Sequence, residues 1–327
     1  MKEPVHLEVK HVLEFIPKAP FNFDATMHKP DHFPSPDNEW EPGIRRQTML
    51  WDGKTLGLRF ENQGMIEQPK VSLSVWSEEA LAPIFSSSLS EEISYRYNLL
   101  LDLTEFNQRF EDDIQLGPII SRWRGMRPSS YSSLYEYLII AIVLQNANVR
   151  RSVNMMKGLF ENYGTPVSYD SKELYCFWQP SSLSGVSEQE LRGLKIGYRA
   201  KFIKGITEAF TTGRIDENQL RKKTREEQRQ TLLGLYGIGP ASVGYILFDV
   251  FHHLDELNHI SPWEQKIYSK LFFNKEPDET VSVEKLLEFC DSRFGEYKML
   301  AVHYIWEDLF WKRKYEDVAW LEKLVRL

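Results

Sequence analysis

The chain has 327 residues, 42% of them hydrophobic and 13% aromatic, which is enough for two or three structural units with sizeable cores. A net charge of −7 argues against a sequence-independent nucleic-acid coat, and no apolar run is long enough to cross a bilayer. The start, MKEPVHLEVKHVLEF, is charged throughout and lacks a signal-peptide core, so a soluble, cytoplasmic protein without membrane association is expected. Cys176 and Cys290 are too few for a disulfide framework or a four-cysteine iron–sulfur cluster, and both are expected to be buried thiols.

Residues 1–103 read as an antiparallel β-domain. His6-Leu7-Glu8-Val9 and Leu13-Glu14-Phe15 suggest an extended start. Arg45 to Trp51 and Leu56 to Glu61 alternate on either side of Asp52-Gly53, the strongest short hairpin signal in the chain, and Lys70 to Trp76 adds a third strand. The stretch from Pro17 to Pro42, rich in proline and aspartate, reads as an irregular loop. From Thr104 to the end, residues 104–327, helical periodicity takes over, with breaks near Gly164, Pro180, Gly213 and Pro277. The expected class is α+β, an N-terminal antiparallel β-domain followed by a mainly α-helical region.

The charge is unevenly spread in the helical part. Glu190 to Arg229 holds eleven Lys/Arg against six acidic residues, among them Arg199, Lys201, Lys204 and Arg221-Lys222-Lys223. Such a cluster can contact a few phosphates while the rest of the surface stays acidic. Individually, Arg225 and Arg229 read as members of a solvated helix face. The cluster runs into residues 232–248, LLGLYGIGPASVGYILF, which read as helix, tight glycine hairpin and second helix. Gly237 and Gly239 allow a tight turn and close approach of a duplex, and Pro240 suits the first helical position. The product is a row of backbone N–H groups at a helix N-terminus, suited to a phosphate. Further on, Ser261-Pro262-Trp263-Glu264 is a capping box, worth about 1 kcal/mol through its serine.

With three more segments in the same order, the chain resembles the helix-hairpin-helix (HhH-GPD) DNA glycosylase superfamily. The segments are YEYLIIAIVLQNANV from Tyr135, LRGLKIGYRAK from Leu191 and NHISPWEQKI from Asn258. A leading β-domain is the arrangement of its alkyladenine and 8-oxoguanine branches. The resemblance implies a monomeric base-excision-repair enzyme acting on damaged duplex DNA. It also implies that Asn146, beside Gln145 and Asn148, wedges into the helix when a base is flipped out, while Gly237, Gly239, Pro240, Ala241 and Lys201 grip the backbone. Family members that cut the strand carry a lysine two residues after the second glycine; here that position is Ala241, which implies a monofunctional enzyme using water. The carbonyls of Leu233, Leu235 and Ile238 could hold a structural monovalent cation, and no other cofactor is implied.

One position departs from the family. Ser261 stands where the catalytic aspartate belongs, and a hydroxyl cannot stabilise an oxocarbenium-like sugar well. Glu264, one turn on, is the first substitute; Asp255, Glu256 and His259 are others. An alkylated purine is cationic and leaves easily, so aromatic walls could compensate, with Trp263, Trp178 and Tyr175 as candidates and core packing as the plainer role for the YCFW run. The alternatives are a non-catalytic reader of damaged DNA and a protein-interaction scaffold. Local basic clustering argues against the scaffold.

Overall fold

Asp52 and Gly53 both take positive φ, 46° and 74°, and the strands they join pair Trp51 with Lys54. This is the two-residue turn expected there, whose twist matches that of the strands. The computed structural model describes residues 2–29, 34–276 and 278–324. They form two units, one made of 1–104 and 124–217, the other of 105–123 and 218–327.

The first unit carries both sheets. Strands β1 (Val5–His6), β2 (Val9–Phe15), β3 (Asn38–Glu41), β4 (Ile44–Trp51), β5 (Lys54–Asn62) and β6 (Val71–Ser77) precede β7 (Thr165–Tyr169) and β8 (Lys172–Cys176). Five of them make an antiparallel sheet in the order β2-β6-β5-β4-β3, and the other three a small sheet, β1-β7-β8, with β1 parallel to β7. On one side of the large sheet Leu58, Phe60 and Leu73 share a core with Phe85, Leu89 and Ile93 of the Pro83–Arg96 helix. Trp76 joins a second cluster with Val167 and Tyr169. Both faces of β6 are therefore covered, and its alternating pattern does not mark an exposed face. Gly57 is needed for packing: a Cβ there would lie 2.4 Å from the Tyr169 ring.

Three expectations need correction. Helical periodicity does not persist unbroken from Thr104, because β7 and β8 interrupt it; their turn is Asp170-Ser171, both at positive φ, without the glycine that would have marked it. The expected irregular loop contains a short helix, Phe23–Met27, capped by Asn22, and the edge strand β3. The Pro83–Arg96 helix lies inside the stretch read as strands; its apolar stripe is only one residue wide and its polar face is serine-rich. The breaks at Gly164 and Gly213 do end helices, and Pro180 opens a single 3₁₀ turn. Pro277 lies outside the described residues.

The second unit is helical among its described residues. Val243, Ile246, Leu247, Ile267, Leu300 and Tyr304 are buried in it. Both cysteines are free and buried, Cys176 in the first unit and Cys290 in the second, and burial pushes the Cys290 thiol up to about 12. No helix among the described residues is long and apolar enough to cross a membrane.

Candidate functional site

The loop at Gln145 to Asn148 is short and capped on both sides. The Leu134–Leu144 helix starts in a Ser133/Glu136 capping box and buries Leu138, Ile139, Ile142 and Val143. The Val149–Tyr163 helix starts at Asn148, whose side chain accepts from the Arg151 N–H at 2.9 Å. Between them Asn146 is exposed, in the left-handed conformation at φ 48°, where asparagine is tolerated better than most residues. Its amide donates to the Tyr198 hydroxyl at 3.2 Å. Behind it the Arg199 guanidinium donates to the Gln145 carbonyl and lies 4.8 Å over the Tyr198 ring.

Arg199 is thus a strut of this loop. It is 1% exposed, so it offers no charge to a phosphate, and Lys204 likewise turns to the Val186 carbonyl. Lys201 is exposed. Arg150 and Arg151, exposed immediately beyond the tip, were passed over in the sequence; their signal was simply adjacency to the wedge segment.

In the second unit the hairpin has its expected form. The Arg225–Leu233 helix opens with a Thr224/Glu227 capping box, and Leu235 and Ile238 anchor the turn in the core. Gly237 requires its lack of side chain, at φ 95°. Gly239 does not: it caps the Pro240–Asp249 helix at φ −103°, ψ 175°, and a Cβ would meet nothing within 4 Å. The fold leaves open space at Gly239, which is the geometry for close approach by a ligand. The Leu235 carbonyl accepts the Ile238 N–H at 3.0 Å, a turn bond beside the carbonyls of Leu233 and Ile238.

A small cleft adjoins the hairpin, lined by Pro240, Ala241, Tyr245, Glu256, His259 and Glu264 among others. Ser261 caps the Pro262–Phe273 helix: its hydroxyl accepts the Glu264 N–H at 3.3 Å, and Glu264 Oε2 accepts the Ser261 N–H at 2.7 Å. Glu264 is only 6% exposed, and its Oε1 accepts the Tyr245 hydroxyl at 2.6 Å. Asp255 pairs with Arg225, while buried Glu256 takes Arg229 and the Asn258 amide. Burial works against the Asp255 charge, and the Arg225 hydrogen bond outweighs it, holding that carboxyl below its ordinary value. Arg225 and Arg229 are therefore ion-paired rather than simply solvated; Lys222 and Lys223 remain exposed.

The aromatic candidates separate. Trp263 is 40% exposed and stacks on Trp306 at 4.9 Å. Burial, and then the Glu264 charge, push the phenol of neighbouring Tyr268 well above its ordinary value. Trp178 is instead in the core of the first unit, stacked on Phe177 at 4.0 Å with its indole N–H on the Tyr135 hydroxyl. Tyr175 lies in β8, with its N–H on the Pro36 carbonyl. Trp178 is thus a packing residue rather than a wall of an open pocket, whereas Tyr175 is half-buried, with its ring 6.3 Å from that of Phe160. Among the described residues no three His, Cys, Asp or Glu side chains gather as a metal site.

A five-stranded antiparallel sheet, a buried helix ending in an exposed asparagine turn, and a Gly-Ile-Gly-Pro hairpin ahead of a capped helix define the helix-hairpin-helix glycosylase fold. Solved structures agree. The 3-methyladenine DNA glycosylase of Archaeoglobus fulgidus superposes with a TM-score of 0.74 at 18% identity, over 94% of this chain and all of that one. The 8-oxoguanine glycosylase/lyase of Clostridium acetobutylicum does so with 0.68 at 17%, over 92% and 99%. By sequence, the chain is 22% identical over 220 residues to the DNA-3-methyladenine glycosylase of Bacillus subtilis, covering 65% of this chain and 70% of that protein. It is 31% identical over 163 residues to the N-glycosylase/DNA lyase OGG1 of Arabidopsis thaliana, covering 48% and 44%. No protein-family model matches. The chain thus has the fold of these DNA glycosylases and is similar to two of them in sequence.

Proposed function

We propose that the chain is a monofunctional DNA N-glycosylase that flips an alkylated base out of duplex DNA and hydrolyses its N-glycosidic bond, acting as a monomer. The observation that carries the reading is Glu264: a carboxylate in the cleft that contains Ala241, one helical turn from the serine at the family's aspartate position. The open space at Gly239 supports a phosphate grip, and a monovalent cation on the Leu233, Leu235 and Ile238 carbonyls would steady the turn. Extrusion costs roughly a few kcal/mol, which Asn146 offsets by filling the gap.

In the chemical step the C1′–N bond breaks and its electron pair leaves with the base. A cationic alkylpurine departs neutral. The water oxygen bonds to C1′, and its proton passes to the Glu264 carboxylate, whose charge also steadies the oxocarbenium-like sugar. Ala241 supplies no amine, so no Schiff base forms and the strand stays intact.

A second reading is a DNA-binding relative without turnover. It is favoured by the hydrogen bonds on Glu264, both of whose oxygens are already engaged, and by the structural task of Ser261. Single-turnover excision on duplexes carrying a panel of damaged bases separates the two, using wild type, Glu264→Gln and Ser261→Asp with alkali to reveal abasic products. Excision lost in Glu264→Gln supports the enzyme. Silence in wild type with activity in Ser261→Asp supports the reader.

A further inference from the structure

Building on the glycosylase reading, we propose that Tyr245 is the positioning residue of the Glu264 carboxylate. A capping box by itself needs one carboxylate oxygen, and here Oε2 serves it by accepting the Ser261 N–H. The second oxygen is held separately. Oε1 accepts the Tyr245 hydroxyl at 2.6 Å, the length of a charge-assisted O–H···O bond, from a residue 19 positions earlier on the Pro240–Asp249 helix. Tyr245 follows Ala241 by four residues, so both lie on one face of that helix, and both line the cleft.

The arrangement pins the carboxylate between two helices and fixes its rotation. A carboxylate accepts about four hydrogen bonds, so two sites remain for a water or a sugar edge. Preorganisation of this kind raises the rate without changing how the substrate binds. The other titratable groups around Glu264 are Tyr268 on its own helix, His259 and Glu256 in the preceding loop, and Arg229 on the Arg225–Leu233 helix.

The test compares wild type, Tyr245→Phe, Glu264→Gln and the double variant in single-turnover excision over a range of enzyme concentrations, on a duplex holding an alkylated purine. Phenylalanine keeps the ring, and glutamine can still accept the Ser261 N–H, so the cap survives in each. The expected result is an inert Glu264→Gln and a Tyr245→Phe slowed about tenfold at unchanged half-saturation. The double variant should be no slower than Glu264→Gln. A Tyr245→Phe enzyme with wild-type rate, or one whose loss lies wholly in half-saturation, beside an inert Glu264→Gln, overturns the positioning role alone. Wild type that excises nothing, or Glu264→Gln that excises normally, overturns the functional reading and this role with it.

Discussion

Asn146 holds a left-handed backbone and donates its amide to the Tyr198 hydroxyl 3.2 Å away, so the exposed tip of its loop is tied to a second segment through its side chain. Arg199, next to Tyr198, ties the same loop through the Gln145 carbonyl. Neighbours 52 and 54 positions further along the chain thus hold one exposed amide in place, as the proposed wedge requires, since its geometry must be set before the base leaves the stack.

Asn146→Gly should separate wedging from binding. Glycine takes a left-handed φ without strain, so the turn and the fold survive while the amide is lost. Base extrusion, read by 2-aminopurine fluorescence in duplex DNA, should fall by about tenfold or more, because the extruded state costs roughly a few kcal/mol that nothing now offsets. Affinity for undamaged duplex should stay near wild type. Equal losses in both assays would mean that Asn146 only shapes the loop.

Gly239→Val should damage DNA binding and leave stability unchanged. The φ of −103° suits valine, and the space around the missing Cβ is open, so the melting temperature should hold. Branched carbons at the helix N-terminus would keep a phosphate from the N–H groups. The plot of log affinity against log salt should lose about one unit of slope for each phosphate contact removed. Wild-type affinity with the full slope would take the hairpin out of the interface.

What could be read in the sequence was what is local. Asp52-Gly53, Gly237-Ile238-Gly239-Pro240 and the Ser261 cap each fit within four residues and obey steric or hydrogen-bonding rules of the chain itself. The Asp170-Ser171 turn follows the same geometry with residues that do not announce it, and the short strands it joins were hidden. Arg199 was misjudged because a basic residue looks the same whether it meets solvent or a carbonyl 54 positions away. The Tyr245–Glu264 bond was invisible for a related reason: only the packing of two helices brings the groups together.

Asp113→Asn should lower stability in a pH-dependent way. Burial alone would raise the Asp113 carboxyl, but the Arg293 hydrogen bonds and the N–H groups of Leu116 and Gln115 outweigh it and hold the carboxyl below its ordinary value. The stabilisation is therefore complete above the unfolded value, about 3.9, and is lost as pH falls through the lower folded one. Thermal melts should show the variant about 1–2 kcal/mol weaker at pH 7, a drop of several degrees, with the gap closing below about pH 4. A gap that stays the same size from pH 7 down to the most acidic pH at which both proteins fold would mean that shape, not charge, is what the aspartate supplies.

Trp263→Ala should weaken recognition of a cationic base more than of a neutral one. The indole is 40% exposed while stacked on Trp306, so part of its aromatic surface remains available. A cation over such a ring gains about 0.5–2 kcal/mol, which corresponds to a roughly 2- to 30-fold rise in the duplex concentration that half-saturates excision of an alkylated purine. A neutral lesion loses only contact area and should move less. Helix capping is untouched, because Ser261 bonds to Glu264 and not to the indole. Equal losses for both lesions would assign Trp263 to shape alone, and an unchanged half-saturation for both would place the base elsewhere.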